Sequence, residues 1–181
     1  MDFAAAILVV LLKQPVHYTD KGEEGRIERL TTVSSSIATA SNSVVSRKFW
    51  SSKETMAGAL IELGSIESTF ARNVHSGECR PFECDVTTNG FTAVGIWQTH
   101  KRKKWSVEYW NSMKGLELEP TTITATVTAE GIAGGVGMCG SLAGAFSQYN
   151  TGNTCSKAYA FEGAARAANR FAQWIINLEN R

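Results

Sequence analysis

Glu67 is the residue from which chemistry is most readily argued. It stands in Ile66-Glu67-Ser68-Thr69-Phe70, near the end of a stretch in which Met56, Leu60, Leu63, Ile66 and Phe70 recur at helical spacing. A carboxyl group at the end of a buried helix, with Leu63, Ile66 and Phe70 around it, is poorly solvated. Desolvation disfavours the charged form and raises the pKa. Such a group stays protonated near neutrality and can serve as a general acid. Glu62 falls on another helical face and is the poorer acid. Against this stands the plainer reading, a surface glutamate at a helix end.

Other side chains invite chemistry with less support. His75, Cys79, Cys84 and His100 have the right types for zinc, but Cys-x4-Cys is a poor zinc spacing, and Cys139 and Cys155 would be left over. No metal site is expected. Gly135-Val136-Gly137-Met138-Cys139-Gly140 fits G-x-G-x-x-G, and the β-branched run 121–128 before it could pass for a strand. The first half of the chain shows no βα alternation, however, so neither a nucleotide nor any other cofactor is expected. Lys101-Arg102-Lys103-Lys104 reads as a solvated basic run. Its functional alternative is attraction to an anionic surface. Trp105, Tyr109 and Trp110 read as core aromatics.

The elements that must position these groups are mostly helical. The chain has 181 residues, 43% hydrophobic and only 19% charged, which excludes a mainly disordered chain. A net charge of +1 leaves no basic footprint for nucleic acid. The apolar run Phe3–Leu12 is too short to span a bilayer. With Asp2 where positive charge belongs, it is also a poor secretory signal, so it reads as a core helix. Further helices are expected over 25–45, from a Ser52 cap to about 72, over 104–116, from Pro120, and over 158–178. Residues 73–89 read as a long loop with short extended pieces. The expectation is one α+β, mainly helical domain over 1–181, with a small β or irregular lobe at 74–100. A helical extension of about 1–50 precedes a core of about 51–181.

Three segments in order carry a family resemblance. They are Glu67-Ser68, then Ala93-Val94-Gly95-Ile96-Trp97-Gln98, then Ala145-Phe146-Ser147-Gln148-Tyr149-Asn150-Thr151-Gly152. Together they resemble the motifs of the soluble lytic transglycosylases and the related goose-type lysozymes, over roughly residues 55–175. The resemblance implies a lysozyme-like fold and cleavage of the β-1,4 bond after N-acetylmuramic acid in peptidoglycan. It implies that Glu67 is the catalytic acid and that Ser68 places the carboxyl or the substrate. By the same resemblance Gly95 and Gln98 line the glycan cleft, Tyr149 lies near the acid, and Asn150 supports that geometry. Trp97, inside the cleft motif, could stack on a sugar ring.

A single-glutamate transglycosylase giving 1,6-anhydro ends is the expectation. The alternative is a hydrolytic muramidase with a second carboxylate, for which Asp85 and Glu83 are the candidates. Thr99-His100 stands where some goose-type relatives carry an aspartate, which disfavours the hydrolase. A further alternative is a non-catalytic glycan-binding or structural module of a virion or secretion machine. The implied partner is the peptidoglycan strand, met by a monomer or by a part of a larger cell-wall or virion assembly. The implied location is extracytoplasmic, in the periplasm, secreted or on a phage particle. In such an oxidising place the four cysteines suit disulfides. Three connectivities are open, and the local one, Cys79–Cys84 with Cys139–Cys155, is favoured because each pair brackets a stretch adjoining a motif.

Overall fold

The computed structural model describes residues 1–20, 22, 24–45, 52–77, 86, 87, 90, 91, 93–102, 104–152 and 154–181. Among them the architecture is α+β and mainly helical. Helices α1 (Phe3–Leu12), α2 (Arg26–Val44), α3 (Lys53–Ser68) and α4 (Arg72–Ser76) come first. Two short antiparallel hairpins follow, β1 (Val86–Thr87) with β2 (Gly90–Phe91), and β3 (Ala93–Val94) with β4 (Thr99–His100). Helices α5 (Val107–Asn111), α6 (Leu118–Cys139), α7 (Leu142–Thr151) and α8 (Glu162–Glu179) complete the chain.

The packing pairs α3 with α8, α2 with α6, α6 with α7, and α1 with both α2 and α8. Ile7 and Leu11 of α1, Leu30 and Ile37 of α2, Leu60 of α3, Ile132 of α6 and Ile175 of α8 belong to one buried cluster. The N-terminal segment therefore shares the core of the segment that carries the motifs, and α1 is the core helix its composition suggests. No helix among the described residues is long and apolar enough to cross a membrane. Gly58 allows α3 to approach α8 so closely that a Cβ there would collide with the Ala168 carbonyl.

Local chemistry explains most element ends. Ser52 caps α3 by accepting from the Thr55 N–H at 3.1 Å, and Ser141 caps α7 by accepting from Gly144 N–H at 3.1 Å. The run 121–128, strand-like by composition, is helical. Its hydroxyls bond back along the helix, Thr121 to Glu117 O at 2.7 Å and Thr122 to Leu118 O at 2.6 Å. These bonds satisfy groups that β-branched residues would otherwise leave unpaired, and burial against α2 does the rest. Pro120 sits in the first turn, where its missing N–H costs nothing. The G-x-G-x-x-G stretch lies in the last turns of α6. Gly135 there faces α7, where a Cβ would come within 3.0 Å of Ala145.

The expected helix 104–116 is only α5, the helix expected to reach about 72 ends at Ser68, and residues 73–76, read as loop, belong to α4. Ile66, in phase with the apolar stripe of α3, turns outward with an exposure of 44%, and Ile27 of α2 is likewise exposed at 65%. Cys139 and Cys155 form a disulfide with Cα atoms 5.6 Å apart, tying the end of α6 to the loop beyond α7. Cys79, Cys84, Glu83 and Asp85 lie outside the described residues.

Candidate active site

Glu67 is half-buried in the last turn of α3. The helix stops there in an unusual way. Thr69 and Phe70, neither of them glycine, both take left-handed backbone angles, with φ of 51° and 55°. Such angles are disfavoured for L-residues and persist only where the surroundings impose them. The Thr69 N–H closes the helix on Ser65 O at 3.1 Å. Ser68, buried, donates its hydroxyl to Gly64 O at 3.0 Å and accepts from Phe70 N–H at 3.1 Å. Its hydroxyl thus shapes the turn that follows Glu67. Of the three apolar neighbours expected to desolvate Glu67, Leu63 and Phe70 are buried and Ile66 is not.

The second motif is the turn of the β3–β4 hairpin. Gly95 takes φ of 69°, a left-handed angle that favours glycine, and its α-carbon faces the Thr124 side chain of α6. Gln98, also left-handed at 46°, is buried and bonds its own turn. Both its main-chain N–H and its Nε2 donate to Gly95 O, at 3.1 and 3.0 Å. Trp97 is fully buried, and its Nε1–H donates to Leu60 O of α3 at 2.8 Å. No face of its ring is open to a sugar, so the stacking role expected for Trp97 is corrected: it ties the turn to the Glu67 helix.

The third motif completes the arrangement. Tyr149, on α7, donates its hydroxyl to Trp97 O at 2.7 Å, and Thr128 Oγ1 lies 3.4 Å from the same hydroxyl. Thr99 Oγ1 stands 3.2 Å from Thr128 Oγ1. Burial pushes the Tyr149 phenol up to about 12, and the nearby Glu67 charge adds to it, against the Thr128 and Thr99 hydroxyls and the Arg102 charge. The hairpin turn, α3 and α7, far apart in sequence, therefore meet at Trp97. Asn150 is exposed on the outer side of α7.

A cleft of ≈ 270 Å³ opens beside Tyr149. Its walls are Thr99 to Arg102, Val127, Thr128 and Gly131 of α6, and Gln148, Tyr149 and Gly152. Tyr149 is the one residue of the expected substrate set that lines it; Glu67, Ser68, Gly95, Trp97, Gln98 and Asn150 do not. The basic run, read as a solvated loop, contributes Lys101 and Arg102 to the rim. The sequence marked Thr99 only as standing where some goose-type relatives carry an aspartate, and it did not point to Thr128, because an isolated threonine carries no spacing signal.

Glu62 is half-buried, and burial raises its carboxyl above the usual range against the opposing pull of Arg170 on α8. His75 is buried with Nε2 against Thr121 Oγ1 at 2.8 Å, whereas His100 is exposed at the cleft. No cluster of three or more metal-ligating side chains occurs among the described residues. No family model, curated protein or solved structure matches the chain.

Proposed function

We propose that this chain is a peptidoglycan-cleaving enzyme with a lysozyme-like fold, a lytic transglycosylase in which Glu67 is the only catalytic carboxyl. The observation that carries the reading is the convergence at Trp97. The Glu67 helix receives the Trp97 indole N–H, and the Tyr149 hydroxyl is bonded to the Trp97 carbonyl. Motifs whose order resembles that family are thereby brought together through one tryptophan, with the neutral Tyr149 phenol lining a cleft and Glu67 in the last turn of the helix to which Trp97 is bonded.

In the proposed reaction protonated Glu67 gives its proton to the glycosidic oxygen as the bond from C1 of N-acetylmuramic acid breaks. The carboxylate so formed stabilises the positive charge on the sugar. It then takes the proton of the sugar's own C6 hydroxyl as that oxygen bonds to C1. The products are a 1,6-anhydro end and a free 4-hydroxyl, with Glu67 reprotonated and no water consumed. Tyr149, kept neutral by its surroundings, holds the hairpin turn that Trp97 bonds to the Glu67 helix. Lys101 and Arg102 at the rim suit a glycan carrying carboxylates. The Cys139–Cys155 bridge supports an extracytoplasmic location.

Turbidity loss of purified cell walls tests the reading. Wild type is expected to clear them, and Glu67→Gln to lose on the order of a thousandfold or more in rate with an unchanged melting temperature. Equal clearing by both proteins sinks the assignment. Mass spectrometry of the released muropeptides should show 1,6-anhydro ends. Reducing ends would instead assign the two-carboxylate hydrolysis.

A further inference from the structure

A buried ion pair lies behind the turn that follows Glu67. Arg29 of α2 and Asp20, in a short 3-10 turn (Tyr18–Asp20), are only 7% and 4% exposed, with Arg29 Nη2 at 3.1 Å from Asp20 Oδ2. Each partner also grips main chain just beyond α3. Arg29 Nη1 donates to Phe70 O at 2.9 Å. The Asp20 carboxylate accepts from the Arg72 N–H at 3.1 and 3.0 Å through its two oxygens. A peptide carbonyl and a peptide N–H on either side of Ala71 are thus held by opposite ends of one ion pair.

Burying such a pair contributes little to stability, because desolvation offsets the attraction, and apolar replacements often serve as well. What it supplies is geometry. A guanidinium fork can bond a carboxylate and a carbonyl together in one plane, which an ammonium does less well. The held segment begins with the two left-handed residues Thr69 and Phe70, a conformation the chain would otherwise leave. If it relaxed, the last turn of α3 would be re-aimed, and that turn carries Glu67.

We propose that Asp20 and Arg29 are positioning residues for Glu67: by clamping Phe70 O and Arg72 N–H they hold the left-handed turn that aims the carboxyl. The clamp rests on the glycosidase reading for its purpose but not for its geometry. It makes the N-terminal segment part of the site's support, reaching across 41 residues from Arg29 to Phe70 and 52 from Asp20 to Arg72.

The test compares wild type, Arg29→Lys, the double variant Asp20→Asn/Arg29→Met and, as a control, Val10→Ala, a buried truncation in α1. The double variant removes both charges of the pair together. Arg29→Lys keeps the charge and carries the same readout should the double variant not fold. Two quantities are read at a temperature where circular dichroism shows each protein folded. One is muropeptide release from purified cell walls, resolved into kcat and KM. The other is the 13C signal of the Glu67 side-chain carboxyl in glutamate-labelled protein, identified by its absence in Glu67→Gln.

The clamp variants are expected to lose on the order of tenfold to a hundredfold in kcat with little change in KM. Their Glu67 signal moves, while Val10→Ala keeps the wild-type signal. A Glu67 signal at its wild-type position in a folded clamp variant overturns the proposal, whether or not walls are cleaved. A wild type that releases no muropeptides while the signal still moves removes the glycosidase reading and leaves the clamp standing.

Discussion

The Tyr149 hydroxyl donates to the Trp97 carbonyl at 2.7 Å across 52 residues of chain, joining α7 to the hairpin turn. Trp97 is in turn bonded through its indole to Leu60 of the Glu67 helix. The bond thus links two of the motif segments directly, and Trp97 ties them to the helix on which the Glu67-Ser68 segment lies.

Removing the phenol oxygen leaves the Trp97 carbonyl without this donor. Tyr149→Phe is expected to cost about 1–3 kcal/mol, the usual penalty for a buried group left unpaired. Urea unfolding measures it through a lower midpoint at constant slope. A second signature is alkaline. With the folded phenol at about 12 against an ordinary 10, the unfolded chain gives up its proton first as pH rises. Stability from this group is therefore full below about pH 10 and falls as pH climbs towards about 12. Tyr149→Phe should flatten that fall; an identical alkaline slope would remove Tyr149 as its source.

His75 governs the acid side. Burial, helped by the Arg29 charge, lowers its imidazole from the ordinary 6.5 to about 3. Nδ1 has no hydrogen-bond partner among the described residues, so a second ring proton would be buried without an acceptor. Between those two values the unfolded chain binds the proton and the folded chain does not, so stability rises with pH. The contribution is complete above about pH 6.5 and is lost as pH falls towards about 3. His75→Phe should show a shallower drop in melting temperature between about pH 6.5 and pH 4. Thr121 keeps its bond to Glu117 O in that variant. An unchanged drop would assign the acid sensitivity to other groups.

The Cys139–Cys155 bridge closes a loop with a sequence separation of 16 that contains all of α7. Chain-entropy reasoning gives such a loop about 3 kcal/mol. The double variant Cys139→Ser/Cys155→Ser should melt roughly 6–12 °C lower, given the usual entropy of a chain this long. Calorimetry checks it. A shift under about 2 °C would mean that α6–α7 packing alone orders the segment.

Lys101 and Arg102 line the cleft rim, where solvent screens each charge. Lys101→Ala/Arg102→Ala is expected to raise KM for intact walls about threefold to tenfold at low salt, leaving kcat unchanged. The difference should shrink as salt is added. A fall in kcat with constant KM would place these side chains at the chemistry and not at its edge.

Much of the helical frame was legible in the residues. Ser52 capped the helix it was expected to cap, and the apolar spacing located α1, α2, α3 and α8. Local rules failed where tertiary contacts outweighed them. The β-branched run 121–128 became helix because its hydroxyls found carbonyls one turn back and its buried face found α2. Ile66, apolar and in phase with the core stripe, was turned out to solvent.

Residue type and spacing singled out Glu67 as a candidate acid, while the family resemblance gave the order of the three motif segments and favoured, among three open pairings, the local one of Cys139 with Cys155. These depend on what lies near in the chain. Only the tertiary structure decided that Trp97 is a strut with no exposed face, that Thr99 and Thr128 belong beside Tyr149, and that Asp20 and Arg29 clamp the turn after Glu67. Those roles come from hydrogen bonds made across 21 to 52 residues, and from burial. A lone tryptophan, threonine or ion pair carries no periodicity that could announce its partner before the chain folds.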